Sequence, residues 1–438
     1  MKLKIFLTTA IIALFFSAGA QTYNNLGGQA TGVNVITTAV PFLQIGPDAR
    51  AGGMGDGGVA TSPDASSMHW NPAKYAFIDQ KFGLSISYTP WLRNLVNDIN
   101  LAYLTYFNRI GDMQTIAFSM RYFTLGEILF TDDQGNDIGL FKPNEFAFDG
   151  TYARKLSENL SLAISARFIY SDLTQGQNVQ GVETTAGISV ATDIAMYWQK
   201  DVEWFESMDA EFAWGINISN IGSKMSYSKS NIEKDFIPTN FRVGPRLTLF
   251  LDDYNKLSFN VDINKLLVPS PPVYATDSGG NLIPIPGSDK FLIASGKDPD
   301  VPPITGMIQS WYDAPGTVNE VKDENGNVMY DEVTGARLST VESGSKFAEE
   351  ISEFNYSLGM EYWYNDIFAV RGGFFWEHRN KGARRYATLG VGLRYNVFGL
   401  DFSYLIPVSS AQNPLQNTLR FSLIFNFGNV TQSVDPEG

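Results

Sequence analysis

Few residues in this chain could carry chemistry. There are two histidines, His69 and His378, and no cysteine. A lipase-like or acyl-modifying centre needs a serine activated by a histidine. His69 sits in a glycine- and proline-rich stretch, and His378 follows Trp376-Glu377. A histidine in a plug or a loop ordinarily makes hydrogen bonds, and neither residue has a catalytic partner in legible geometry. A surface protease would need acidic pairs beside a histidine, and Glu377-His378 is the one local example. No catalytic residue is assigned and no enzyme activity is expected.

The other chemistries fare no better. Without cysteine there are no disulfides and no thiolate metal sites. Asp132-Asp133-Gln134-Gly135-Asn136-Asp137 has the look of a calcium loop but lacks the twelve-position register and its terminal Glu. A hairpin tip with a left-handed glycine explains it better. Residues 46–60, GPDARAGGMGDGGVA, hold six glycines. A phosphate loop would need a Lys-Ser/Thr pair, a preceding buried strand and a following helix, and all three are missing. No metal and no cofactor are expected.

The elements around these residues are strands. From Thr418 to Phe427 the sequence is TLRFSLIFNF. Leu419, Phe421, Leu423, Phe425 and Phe427 share one face, and Thr418, Arg420, Ser422 and Asn426 share the other. A period of two with an aromatic-rich apolar face suits a strand between lipid and a polar lumen. The bland alternative is an edge strand of a soluble β-sandwich. The pattern recurs at 82–89, 100–108, 114–124, 145–156, 160–170, 183–198, 209–220, 240–251, 256–267, 354–364, 367–376, 386–396 and 400–406. That makes about fourteen strands, each near the ten residues a tilted barrel strand needs. The expected fold is all-β, an antiparallel transmembrane β-barrel with an N-terminal lumen plug and one long extracellular loop.

The count has a parity. Turns at 109–112, 157–159, 252–255, 365–366 and 397–399 fall at one end, and the longer segments fall at the other. Outer-membrane barrels keep their short turns periplasmic, so the long segments are extracellular. Composition agrees. Charged residues are 18% and aromatics 13%, and no mature stretch holds about 18 uninterrupted apolar residues. A formal charge of −14 argues against nucleic acid, which needs clustered Lys and Arg.

Four regions follow. Residues 1–20 read as a cleaved signal peptide: Lys2 and Lys4, an apolar core, then Ser17-Ala18-Gly19-Ala20. Residues 21–80 form the plug segment, with freed backbone groups satisfied in a polar lumen. Its key residues are Asp48, Arg50, Gly52, Asn71 and Pro72. Residues 81–427 form the outer-membrane barrel, and 428–438 a periplasmic tail. The extracellular loop 268–352 is far longer than the others and holds nine of the 20 prolines. Between Val268 and Glu350 it carries 13 acidic and 5 basic residues. Such loops are functional or mobile. Asp323–Asn327 and Thr334-Gly335 read as two hairpin tips of a small ribbon. Trp311, Tyr312 and Tyr330 are the residues expected to meet a partner. The alternative is a lid folded over the barrel mouth.

A leader, then PDARAGGMGDGGVATSPDA (Pro47 to Ala65), HWNPAK (His69 to Lys74) and a barrel of this size resembles the FadL-like outer-membrane proteins. More narrowly it resembles the PorV family, barrel subunits of the type IX secretion system of Bacteroidota. ISNIGSKMSYS (Ile218 to Ser228) and YNVFGLDFSYLIP (Tyr395 to Pro407) share that likeness. The resemblance implies a secretion factor. Such proteins bind the SprA (Sov) translocon barrel, cap its lateral opening and take cargo by its C-terminal domain. They deliver it to the attachment complex that contains PorU. Outer-membrane lipids would surround the wall. The alternative is a FadL-like transporter of hydrophobic small molecules, which would need an apolar capture groove at the mouth.

Overall fold

The computed structural model describes residues 33–91, 98–131, 134, 137–179, 182–206, 208–229, 234–408 and 418–429. The expected leader, the first part of the 21–80 segment and nearly all of the 428–438 tail lie outside the described residues, as does most of the 132–137 hexapeptide.

Fourteen antiparallel strands close into one barrel in sequence order. They are β1 Gln80–Pro90, β2 Asn100–Arg109, β3 Gln114–Thr124, β4 Asn144–Lys155, β5 Leu160–Asp172, β6 Gly187–Val202 and β7 Asp209–Gly222. The second half is β8 Asn240–Phe250, β9 Asn255–Leu266, β10 Phe354–Tyr364, β11 Phe368–Trp376, β12 Arg385–Tyr395, β13 Phe398–Pro407 and β14 Leu419–Asn429. Closure comes from β14 against β1, with Phe425 opposite Leu84 and Phe427 opposite Phe82. The last pair stacks its rings at 4.8 Å on the outer wall. Closure pairs every strand, so no backbone edge is left to face lipid.

Alternation sorts the side chains. Along β14 and the residue before it, Thr418, Arg420, Ser422 and Ile424 are buried toward the lumen, while Phe421 is exposed outward. Ile424 is the one apolar residue on that polar face, and it packs in the same cluster as Tyr75 and Phe77 of the lumen segment. Most boundaries shift by a residue or two, and two shifts have a visible cause. The strand expected at 183–198 runs from Gly187 to Val202, because Glu183 is drawn into a separate two-residue hairpin with Asn178. The turn expected at 397–399 sits at Asn396 and Val397, where Asn396 takes a left-handed φ of 54°, and Phe398 already pairs with Tyr395.

Short connections gather at one end, and 125–143, 223–239, 267–353 and 377–384 gather at the other. Residues 33–79 run through the barrel once. At the long-loop end Asn34 N donates to Asn380 O at 2.9 Å, and Ala39 N to Phe236 O at 2.9 Å. At the short-turn end Arg109 donates to Ile78 O at 2.8 Å. Two apolar clusters hold the segment. Val40, Phe42 and Leu43 pack on Leu101, Phe123 and Ile169. Tyr75 and Phe77 pack on Ala117, Ala153, Ala163, Ala195 and Ala213. Alanine on the lumen face of five strands makes the room that those rings fill.

Candidate functional site: the filled lumen and the long loop

The lumen segment is tied to the wall by charge. Arg50 is buried and donates from Nε and Nη2 to the two carboxylate oxygens of Glu361 on β10, at 2.9 and 2.7 Å. Its Nη1 reaches Asp64 at 2.8 Å. Arg371 on β11 shares Glu361 at 2.7 Å and reaches Asp401 on β13 at 2.8 Å. Arg394 on β12 holds the second oxygen of Asp401 at 2.7 Å. The side chains of Arg371 and Asp401 are wholly buried. Charges alternate along this chain of contacts, so each buried ion has a partner of opposite sign.

A second set of contacts fixes the glycine-rich turn. Asp262 on β9 accepts from Gly58 N and Val59 N at 2.7 and 2.8 Å. Asp56 pairs with Arg420 of β14 and accepts from the Tyr386 hydroxyl at 2.5 Å. Gly55 has φ +69°, and a Cβ there would lie 2.7 Å from the backbone nitrogen of Phe374. Only glycine allows that approach at that backbone angle. These glycines serve backbone-to-wall packing.

The residues named from sequence sit as follows. Asp48 accepts from Trp70 Nε1 at 2.5 Å and caps Ala51 N at 2.9 Å. Asn71 Nδ2 donates to Val59 O and to Met196 O of β6, both at 2.9 Å, and its Oδ1 caps Ala73 N. Pro72 opens the short helical turn Pro72–Phe77, where its missing N–H costs nothing. Gly52 lies against Arg420, and a Cβ would collide with its guanidinium. His69 Nδ1 meets Arg121 at 2.7 Å, and His378 packs on Trp376. Sequence reasoning missed Glu361, Arg371, Asp401, Asp262 and Arg420. The signal was there: a charge at a lumen-phase position in mid-strand needs an opposite charge across the lumen.

The long loop is ordered. It carries the paired segments Val273–Tyr274 with Ile293–Ser295 and Val318–Glu320 with Ser339–Val341, and the helices Pro303–Gln309 and Ser345–Ser352. Its foot is a buried charge cluster at the barrel rim. Lys265 of β9 meets Glu353 at 2.5 Å and Glu350 at 3.3 Å. Lys381 meets Glu353 and Glu349 at 3.0 and 2.7 Å. Trp311 packs on Phe241 and Phe354, with ring centroids at 5.7 and 6.1 Å. Tyr312 lies under Lys297 at 3.7 Å, and Tyr330 is exposed. A cavity of 240 Å³ opens at this rim, lined by Val35, Glu353, Asn355, Glu377, Lys381 and Arg384. Its walls are mixed, with Ile36 and Leu266 beside four charged side chains.

Asp313 in this foot is buried and accepts from Ser270 N at 3.1 Å. Burial, with Glu350 and Glu353 nearby, pushes its carboxyl up to about 6. Burial also raises Glu350. A raised carboxyl prefers its protonated form in the docked loop. Asp313 therefore favours the docked loop most below the ordinary carboxylate range, and that contribution is lost as pH rises through about 6. The ion pairs of Glu349, Glu350 and Glu353 with Lys265 and Lys381, by contrast, need charged carboxylates. Hydrogen exchange over residues 303–316, corrected for intrinsic rates, is expected to quicken as pH rises through about 6. Asp313→Asn should remove that dependence, and an unchanged pH profile in the variant would refute the assignment.

A family model described as Type IX secretion system protein PorV matches residues 28–273, more than half the chain. Among curated proteins nothing matched. The fold is similar to that of several solved barrels. The TodX deltaS2S3 mutant monoaromatic hydrocarbon channel aligns at TM-score 0.43 and 11% identity, covering 87% of this chain and 99% of that one. The toluene transporter TbuX of Ralstonia pickettii aligns at 0.41 and 12%, covering 87% and 98%. A FadL homologue of Pseudomonas aeruginosa aligns at 0.36 and 12%, covering 90% and 100%.

Proposed function

The chain belongs to the PorV family of type IX secretion system proteins, and from that premise we propose that it is a non-enzymatic outer-membrane secretion factor. It binds the SprA (Sov) translocon barrel, closes that barrel's lateral opening and takes cargo by its C-terminal domain. It then passes cargo to the attachment complex that contains PorU. The observation that carries this reading is the filled lumen. Residues 33–79 occupy the barrel from the long-loop end to the short-turn end and are bonded to β6, β9, β10 and β14 on the way. A barrel so filled offers its outer surfaces and rim for contact with other proteins. Cargo transfer then needs only that cargo-bound and free forms bind the translocon with different affinity.

The rim cavity carries four charged side chains among its eleven lining residues, whereas transport of hydrophobic small molecules wants an apolar groove. The test is a mild-detergent pull-down of a C-terminally tagged copy, read by mass spectrometry. Recovery of a very large barrel, or of exported proteins sharing one C-terminal domain, is the expected result. Recovery of the barrel alone with bound lipid would move the assignment to a transporter.

A further inference from the structure

The long loop repeats itself. Asp277 N donates to Asn281 O at 3.0 Å, and Asp323 N donates to Asn327 O at 2.8 Å. Ala275 N to Leu292 O recurs as Val321 N to Leu338 O, and Leu292 N to Ile283 O recurs as Leu338 N to Met329 O. The bridged pairs Thr276/Leu282 and Pro284/Phe291 recur as Lys322/Val328 and Tyr330/Arg337. Every partner lies 46 positions on, 323 for 277 and 338 for 292. Asp, Gly, Asn and Leu are identical at 277/323, 280/326, 281/327 and 292/338. Each copy folds three short segments on one another, and the second rests on the first through Arg337, whose Nε donates to Asp277 O at 2.9 Å.

A helix follows each copy. Each helix presents an apolar pair spaced by four residues, hence on one face. Ile304 and Ile308 are 58% and 60% exposed, and Phe347 and Ile351 are 71% and 47% exposed. The faces that pack are different ones. Gly306 lies against Phe236 and Pro269, and Glu350 turns to Lys265. The two pairs lie 43 positions apart and not 46, so they are a property of the two helices and not of the repeated register.

Residues in or just past the two helices meet at one patch of the barrel rim around Lys265. Asn264 faces the lumen, where Arg242 donates to it at 2.6 Å, so its neighbour Lys265 points outward. The register sets Lys265 between Phe241 and Phe354. Trp311, two residues past the first helix, covers that row from one side. Glu350 of the second helix and Glu353 just beyond it cover it from the other. The helices thus continue the apolar outer wall of β8 to β10, where Pro245, Phe259, Leu358 and Met360 are exposed.

We propose that the outer loop is a tandem duplication whose two helices form a ledge lying in the outer leaflet at the membrane interface. Lipid is the occupant because the ledge is continuous with the lipid-facing wall. A tryptophan at that boundary buries its ring and keeps its N–H near water. Short helices with one apolar face lie in the interface plane by the same balance. This inference rests on membrane insertion of the barrel and not on its partners.

The chain has no cysteine, so single cysteines can be placed without background. Ile308→Cys and Phe347→Cys, each labelled with bimane, are reconstituted as full chains in nanodiscs of phosphatidylcholine with brominated acyl chains. Leu358→Cys on the outer wall and Glu324→Cys at a turn of the second copy are the controls. Blue-shifted emission and a loss of intensity comparable with the Leu358 control are expected at both positions. If either behaves like Glu324→Cys, in water and unquenched, the ledge is overturned and its apolar pairs await a protein instead.

Discussion

Glu361→Ala releases the lumen segment from the wall. Glu361 lies between Arg50 and Arg371, and all three are buried. Without it two guanidinium groups face each other with one shared carboxylate gone. Among the described residues Arg50 keeps Asp64 as its one ion-pair partner, with hydrogen bonds to Ser62 O and Ser62 Oγ, and Arg371 keeps Asp401. Breaking a buried pair by removing one partner costs about 3–5 kcal/mol, because the remaining charge stays desolvated. That is a large part of what holds a segment of this length in place. The readout is access. Val59→Cys in the lumen segment is fully buried and should react slowly with maleimide. Adding Glu361→Ala should speed that reaction by orders of magnitude and lower the temperature at which the barrel loses its compact form on gels. Arg50→Ala with Glu361→Ala should recover part of the loss, since Arg371 then keeps Asp401 without a like-charged neighbour. Slow labelling in Glu361→Ala would show that apolar packing alone holds the segment.

Deleting residues 269–351 and closing the gap with a short Gly-Ser linker leaves a barrel that assembles and a cell that no longer secretes. β9 and β10 pair from Asn255/Tyr364 to Lys265/Phe354 without help from the loop, so the ladder survives. The two cut ends are neighbours across that ladder, and closing a short linker costs little entropy. The loop's acidic charge and its exposed Tyr330 are the features we propose to meet a protein partner. Secretion is measured as cargo on the cell surface, with heat-modifiable migration as the check on assembly. Normal secretion by an assembled variant would remove the loop from the mechanism. A variant with Ile304 and Ile308 changed to Ser separates the two roles, because it weakens lipid contact and spares the acidic tips.

What the sequence by itself determined is the local order. Period-two alternation names a face for every residue, and a strand slipped by one position would turn lumen residues into lipid. For that reason Gln114–Thr124 and Phe354–Tyr364 could be read to the residue, and the count and closure of the strands followed. Boundaries failed where a competing pairing intervened, as at Glu183, because a short hairpin leaves only a weak trace in the pattern. The tertiary structure alone decided which charges meet. Arg50 and Glu361 are 311 positions apart, and Asp56 and Arg420 are 364 apart. A buried charge announces that it needs a partner, but its own position says nothing of which strand will supply it. The duplication in the outer loop stayed hidden for a related reason. Its copies agree in backbone hydrogen bonds, which any residue but proline can donate, and in few side chains.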